Sequence, residues 1–208
     1  MSGAAHHAGL EALLQHPALW RGGNAAVREA YPTGFAALDA VFPGGGWPRR
    51  GLVEVLTPAP GCGELRLWAP LVAHLTQAPE ARWCAFVAPP FEPFAPAWQA
   101  CGARTDRLLV VRGAQPAWSM EQGLLSGACA LVFGWIARLT MHQLRRLALA
   151  AEKGAALGVL IRPPGAQREH STAVLRLALE GTGQKPLLRL LKGRGVMPQR
   201  LDVDLAPS

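Results

Sequence analysis

LVEVLTPAPGCGELRLWAPLVAHLT, residues 52–76, is the stretch that decides the fold of this chain. Its first five residues, Leu52–Leu56, form a short apolar run that predicts a buried strand. The next seven, Thr57–Gly63, are rich in proline and glycine and predict a loop. From Glu64 to Thr76, apolar residues recur at helical spacing. The stretch therefore predicts a strand, a glycine-rich loop and a helix in succession, the unit from which parallel α/β sheets are built.

The same alternation continues along the chain. Further apolar runs predict strands at Trp83–Val87, Leu108–Arg112, Cys129–Phe133 and Leu157–Ile161. Helical patterns separate them, at Pro93–Cys101, Ala117–Ser126 and Thr140–Lys153. We expect Thr140 to cap the last of these helices and Gly154 to supply the left-handed residue that ends it. The alternation predicts an α/β fold, with a mainly parallel sheet covered by helices on both faces.

The pattern changes after the strand predicted at 157–161. A polar stretch to about Ser171 predicts a loop. Ala173–Leu179 and Pro186–Leu191 flank a polar turn, Glu180–Lys185, and predict an antiparallel pair. Leu201–Leu205 alternates apolar and acidic residues, which is typical of an edge strand. We therefore predict a core over residues 31–208, preceded by a helical arm and linker over residues 1–30, in which Gly9–Leu19 is amphipathic.

Composition limits the function classes. The chain has 208 residues, half of them apolar, and no run long enough to predict a transmembrane helix or a secretory signal. The four cysteines, Cys62, Cys84, Cys101 and Cys129, match no zinc or redox spacing, so we expect free thiols and no metal site. The net charge is +7, and residues 140–208 hold eleven Lys/Arg against five Asp/Glu. This surplus fits an acidic partner such as nucleic acid, or simply a solvated basic surface.

The glycine-rich loop lacks the residues that bind nucleotides. A phosphate-binding loop has the form G-x-x-x-x-G-K-[ST], in which the lysine reaches the phosphates and the hydroxyl holds Mg²⁺. With Gly63 as the last glycine, those two positions are Glu64 and Leu65. The metal-holding Asp is also missing, because Gly134 follows the strand predicted at Cys129–Phe133. We therefore expect no catalytic residue, no cofactor and no ATPase activity, with a degenerate P-loop at Gly61, Gly63, Glu64 and Leu65.

Several segments resemble RecA. Residues 32–56 resemble the segment that leads into its phosphate loop, and residues 83–93 resemble its next strand and the loop of its catalytic glutamate, here Pro90 or a neighbour. Together with HPALWRG (16–22), GCGELRL (61–67) and RLLKGRG (189–195), these segments resemble the ImuA family. That family is RecA-like, includes SulA-like proteins and has a degenerate P-loop. The resemblance implies a RecA-like three-layer core with a C-terminal antiparallel extension.

The resemblance also implies a function. ImuA proteins are non-catalytic accessory proteins of SOS-induced translesion DNA synthesis in the bacterial cytoplasm, at the nucleoid when engaged. The implied partners are an ImuB-like inactive Y-family polymerase homologue, RecA and an error-prone DnaE-type polymerase, with DNA as a further candidate. Arg162 and Arg168 border the loop that matches a RecA DNA-binding loop, and Arg189, Lys192 and Arg194 match a region near the RecA subunit interface. These five residues are the expected DNA or partner contacts.

Two alternatives remain open at this point. A SulA-type inhibitor that binds the tubulin-like division protein FtsZ shares the degenerate core and the SOS context, and filamentation on overexpression would distinguish it. An active recombinase or ATPase would need other groups in place of Glu64 and Gly134, and DNA-stimulated hydrolysis would reveal it.

Overall fold

A computed structural model of the chain describes residues 30–180, 187–193 and 195–203. The strands in these ranges are β1 (Ala30–Tyr31), β2 (Trp47–Pro48), β3 (Gly51–Leu56), β4 (Trp83–Val87), β5 (Leu108–Val111), β6 (Cys129–Trp135), β7 (Leu157–Arg162), β8 (Leu175–Glu180), β9 (Leu187–Gly193) and β10 (Gln199–Asp202). The α-helices are α1 (Ala36–Asp39), α2 (Ala69–Gln77), α3 (Ala95–Ala100), α4 (Pro116–Leu125) and α5 (Met141–Lys153). Short 3-10 helices cover Arg66–Trp68, Thr105–Arg107 and Pro164–Arg168.

Eight of these strands form one mixed sheet, in the order β10-β9-β8-β3-β7-β6-β4-β5. The six strands from β8 to β5 run parallel to one another, and β9 and β10 add an antiparallel extension at one side. The prediction of an α/β fold with a large, helix-flanked sheet is therefore confirmed. Because the carboxyl ends of the parallel strands meet at one edge of the sheet, the loops after β3, β4, β6 and β7 lie along that edge.

Both faces of the sheet are covered, and the strand residues alternate between two cores. On the first face, Val53 and Val55 pack with residues of α1, α2 and α3, among them Leu71. On the second face, Leu52 packs with residues of α4 and α5, among them Met120. Burial on both faces explains why the central strands read as continuous apolar runs.

The ends of α5 were predicted only in part. Thr140 caps the helix as expected, in a capping box with Gln143. The expectation for Gly154 is wrong, because its φ is −83°, and Ala155 takes the left-handed conformation with φ 47°. A Cβ at position 154 would lie 1.8 Å from the carbonyl oxygen of Leu124. The glycine is therefore needed for the close approach of this turn to the end of α4.

Other boundaries differ by a few residues. The helix predicted from Glu64 begins as a 3-10 helix, and its α-helical part starts at Ala69, next to Pro70 in the first turn. β10 runs from Gln199 to Asp202, so the predicted edge strand begins two residues and ends three residues earlier than expected. The arm predicted over residues 1–30 lies outside the described residues except for Ala30. The turn predicted over Glu180–Lys185 also lies outside them except for Glu180, and so does Arg194. No helix in the described ranges is long and apolar enough to cross a membrane.

Candidate functional site

The loop after β3 is filled by one of its own side chains. The Glu64 carboxylate is buried, and both of its oxygens accept the backbone N–H of Gly61, at 2.9 and 3.1 Å. Gly61 and Gly63 have positive φ, which glycine adopts without strain. Burial and the neighbouring carboxylate raise the pKa of the Cys62 thiol inside the same loop. The loop thus holds a protein carboxylate where a phosphate-binding loop would hold an anionic ligand.

The aspartate that would hold Mg²⁺ at the end of β6 is replaced by a closely packed glycine. Gly134 lies within β6 and not after it, because the strand extends to Trp135. A Cβ at position 134 would lie 2.6 Å from the sulfur of Met120. An aspartate at this position would therefore have to displace the buried Met120 side chain. Among the described residues, no group of three or more His, Cys, Asp or Glu could hold a metal ion.

A network of charged side chains is buried beside this loop. The Glu54 carboxylate, in the middle of β3, accepts hydrogen bonds from Arg162 at the end of β7, at 2.8 Å, and from Arg176 in β8. Arg162 also donates to Glu169 at 2.7 Å and to the carbonyl oxygen of Ala137 at 3.1 Å. The side chains of Glu54 and Arg162 are 0% exposed. Buried charges of this kind persist when each one is paired and hydrogen-bonded, so the network holds the loop after β7 against the sheet.

The five basic residues predicted as contacts do not form one surface. Arg162 is enclosed in the buried network, so a ligand would have to displace Glu54 and Glu169 to reach it. Arg168 is exposed in the 3-10 helix that follows β7. Arg189 lies 2.9 Å from Glu180, and Lys192 donates to the carbonyl oxygen of Ser171 at 3.0 Å. Arg194 lies outside the described residues, and the role of this set stays a prediction.

The most exposed aromatic residues of the described chain lie in the loop after β4. Phe91 is 68% exposed and Phe94 is 69% exposed. The loop begins at Ala88, whose φ of 50° is rare for a residue with a Cβ. Arg112, which follows β5, donates to Glu92 at 2.5 Å and to the carbonyl oxygen of Pro89 at 3.3 Å. The loop is therefore tied to the neighbouring strand while it presents two phenyl rings to solvent.

This arrangement fits binding to another protein. Large aromatic side chains that stay exposed in one loop are unusual on a surface without a partner, and aromatic residues supply much of the energy at protein interfaces. Strained backbone is found preferentially at functional sites, and Ala88 stands at the start of this loop. Phe91 and Phe94 were not among the residues predicted from the sequence to contact a partner. The available signal was PPFEPF itself, since three prolines in six residues exclude helix and central strand and so place both phenylalanines on a loop.

The family model and the similar proteins described below all carry the name SulA. The profile of the family described as "SulA: Cell division inhibitor SulA" matches residues 57–158, about half of the chain. The cell division inhibitor SulA of Edwardsiella piscicida is 31% identical over 100 residues, which are 47% of this chain and 58% of that protein. The cell division inhibitor SulA of Photorhabdus laumondii is 41% identical over 58 residues, 28% of this chain and 33% of that protein. The chain thus spans less than two thirds of the length of these relatives.

A solved structure with the same name is similar in part. SulA from Pseudomonas aeruginosa is 24% identical, with a TM-score of 0.44, and the match covers 53% of this chain and 97% of that chain.

These matches correct the predicted family and role. They name the division inhibitor SulA and not ImuA, so the expected membership of the ImuA family is wrong. The expected role in translesion synthesis was inferred from that membership and falls with it. The same holds for the partners expected from it, namely the ImuB-like polymerase homologue, RecA, the DnaE-type polymerase and DNA.

The matched segment also separates the two candidate sites. Phe91 and Phe94 lie within residues 57–158, together with the degenerate P-loop. All five basic residues predicted as contacts lie after residue 158. The part of the chain that resembles the division inhibitors therefore carries the exposed aromatic loop and none of those five residues.

Proposed function

We propose that this chain is a SulA-type cell-division inhibitor, which acts without catalysis by binding FtsZ through the loop after β4. The observation that carries the proposal is the pair of exposed rings, Phe91 and Phe94, within the segment that matches the SulA family. The alternative weighed from the sequence thereby becomes the main reading. Its partner and activity are proposals, since the chain spans only part of the named relatives.

The loop is suited to hold a partner tightly because it is already ordered. Pro89, Pro90 and Pro93 restrict the backbone, and Arg112 ties the loop to β5 through Glu92. A segment that is fixed before binding loses little conformational entropy when the complex forms. Burial of a phenylalanine side chain contributes about 1.5–3 kcal/mol. Two such rings therefore supply a large share of a micromolar affinity, which corresponds to about 8 kcal/mol.

The proposed action needs no nucleotide. Glu64 occupies the loop in which a phosphate would bind, and position 134 carries a glycine packed against Met120 in place of a metal-binding aspartate. We propose that the core is RecA-like in descent, on the strength of the glycine-rich loop between β3 and α2, and that it now serves as a rigid support for the binding loop. The proposal places the chain in the bacterial cytoplasm, where FtsZ is found.

A double variant, Phe91→Ala with Phe94→Ala, tests the proposal. The matched control is Leu149→Ala, which removes an apolar side chain that is 60% exposed on α5, within the same matched segment. Purified FtsZ polymers are sedimented with each protein, and cell length is measured after expression in a rod-shaped bacterium. We expect the parent chain and Leu149→Ala to reduce the amount of sedimented FtsZ polymer and to make the cells grow as long filaments. The double variant should have neither effect, even at tenfold higher concentration.

Two outcomes would contradict the proposal at different points. If the parent chain neither suppresses polymers nor causes filaments, the division-inhibitor function is wrong. If the parent chain inhibits and the folded double variant inhibits equally, the function stands and the loop is not its site.

A further inference from the structure

The outer edge of β5 has free hydrogen-bonding groups. β5 is the last strand of the sheet, and no strand of the described residues pairs with its outer side. The carbonyl oxygen of Val111 accepts the N–H of Ala88, which follows β4, so the main-chain groups of Val111 point inward. Because these groups alternate along a strand, those of Leu109 also point inward, and those of Leu108 and Val110 point outward. An edge of this kind can bind an extended chain.

An apolar groove lies beside this edge. A cavity of about 460 Å³ lies on the second face of the sheet, between the strands and α4. Its apolar lining includes Trp83, Ala85, Val87, Leu109, Val111 and Trp118. Leu109 and Trp118 are 44% and 55% exposed. A strand added to the edge of β5 would direct alternate side chains towards this groove. The surface therefore offers both main-chain pairing and apolar pockets, the two elements of strand addition.

The charges at the two ends of β5 indicate what the added strand carries. The strand itself is LLVV, and Arg107 precedes it and Arg112 follows it. Arg107 lies over the ring of Trp83, and its buried Nε has no hydrogen-bond partner among the described residues. The nearby carboxylates are already paired, Asp106 with Arg104 and Glu92 with Arg112. Arg112 is therefore neutralised by Glu92, whereas Arg107 keeps its positive charge at the start of the edge and favours a carboxylate at that end of the added segment.

A second copy of the chain fits this edge less well. It would bring a second Arg107 to the same short ladder, and the neighbouring carboxylates of Asp106 and Glu92 are engaged within each copy. Like charges that face each other across a strand pair are destabilising. Charge complementarity thus favours a different protein over self-association.

We propose that the edge of β5 binds an extended segment of a protein partner, with apolar side chains at alternate positions and aspartate or glutamate at the end beside Arg107. The site is separate from the phenylalanine loop and does not depend on the division-inhibitor function. Its recognition chemistry is main-chain pairing with Leu108 and Val110, apolar contact with Leu109 and Trp118, and attraction to Arg107.

Labelled peptides test the proposal directly. The probes are fluorescein-DEVTVTVED and its twin fluorescein-KKVTVTVKK, titrated with the full chain by fluorescence anisotropy. Val110→Pro removes the outward N–H and spares the ladder to β4, whereas Val110→Thr keeps the N–H with a side chain of similar shape. We expect the acidic peptide to bind at least tenfold tighter than the basic one. We expect Val110→Pro to weaken that binding at least tenfold, and Val110→Thr to weaken it less than twofold.

Three results would overturn the proposal. The first is no binding of the acidic peptide, and the second is equal binding of the two peptides. The third is a dimer of the parent chain in analytical ultracentrifugation that Val110→Pro dissociates, which would assign the edge to a second copy. Circular dichroism and thermal unfolding of Val110→Pro establish that the variant is folded, and an Arg107→Gln variant repeats the charge test with the strand intact. Arg107→Gln should reduce the preference for the acidic peptide at least threefold.

Discussion

The Glu54 carboxylate and the Arg162 guanidinium are 108 residues apart in the chain and meet at 2.8 Å inside the sheet. β3 and β7 are adjacent and parallel, and in their register Glu54 pairs with Leu160, two residues before Arg162. The carboxylate therefore lies on the face of β3 towards which Arg162 also points. Arg176 completes the pairing from β8, on the other side of β3. One acidic residue in a central strand thus links three strands of the sheet.

Removal of Arg162 should be strongly destabilising. Arg162→Ala leaves the Glu54 carboxylate buried with only Arg176 beside it, and loss of one partner from a buried pair costs about 3–5 kcal/mol. The control is Arg50→Ala, which breaks an exposed pair with Glu152 and should cost about 1 kcal/mol or less. Urea denaturation followed by tryptophan fluorescence measures both. Similar decreases in the free energy of unfolding of the two variants would show that the buried network stabilises the fold no more than a surface ion pair does.

Glu64 should stabilise the fold and should not bind nucleotide. Glu64→Ala removes the acceptor of the Gly61 N–H, and loss of a hydrogen bond to a charged group costs about 1.5–3 kcal/mol. Glu92→Ala is the control, because its carboxylate is exposed and its loss should cost about 1 kcal/mol or less. We also expect neither the parent chain nor Glu64→Ala to gain thermal stability from ATP with Mg²⁺. A rise in melting temperature of the parent chain with ATP would contradict the self-filled loop.

The cysteines should react very unequally. Cys101 is exposed, whereas Cys62, Cys84 and Cys129 are buried. Burial, with a smaller effect of Cys129, raises the pKa of the Cys84 thiol to about 12. We expect one cysteine per chain to react rapidly with a thiol reagent at pH 8, and this rapid reaction should be absent in Cys101→Ser. In urea, all four cysteines of the parent chain should react. Fast labelling that survives in Cys101→Ser would mean that a buried thiol is accessible.

The fold was predictable from the sequence because each local signal agreed with its surroundings. The apolar runs at β4 and β7, and the capping threonine of α5, needed only their neighbours in the chain. The buried network was not predicted, although a glutamate within LVEVL requires a partner once both faces of its strand are covered. Sequence spacing gives no sign that Arg162 is this partner, so Arg162 was interpreted as a contact residue. The exposure of Phe91 and Phe94 depends on the surrounding fold, which no local pattern reports.

Gly154 was predicted to supply a left-handed residue, but the structure needs a glycine there for close packing against α4. A substitution at this position therefore tests that packing. Gly154→Ala keeps an ordinary φ, but its Cβ would meet the Leu124 carbonyl oxygen at 1.8 Å. Overpacking against backbone costs about 1–3 kcal/mol. Gly165→Ala is the control, since a Cβ there meets nothing within 4 Å, and it should be neutral or slightly stabilising. A neutral result for Gly154→Ala in thermal unfolding would mean that α4 and α5 separate easily at this turn.

The strained backbone at Ala88 should be needed for inhibition of FtsZ. Ala88 and Ala155 are the two non-glycine residues in the described chain with positive φ, at 50° and 47°. Glycine adopts this conformation without the steric strain that a Cβ causes. Ala88→Gly and Ala155→Gly should therefore each raise the free energy of unfolding by about 1 kcal/mol. Only Ala88 begins the loop of Phe91 and Phe94, and a glycine there also frees the loop before binding. We therefore expect Ala88→Gly to inhibit FtsZ polymers three- to tenfold less well, and Ala155→Gly to inhibit as the parent does. Because stability rises in both variants, a loss confined to Ala88→Gly cannot come from unfolding. Equal inhibition by the two would show that the loop does not need its strained start.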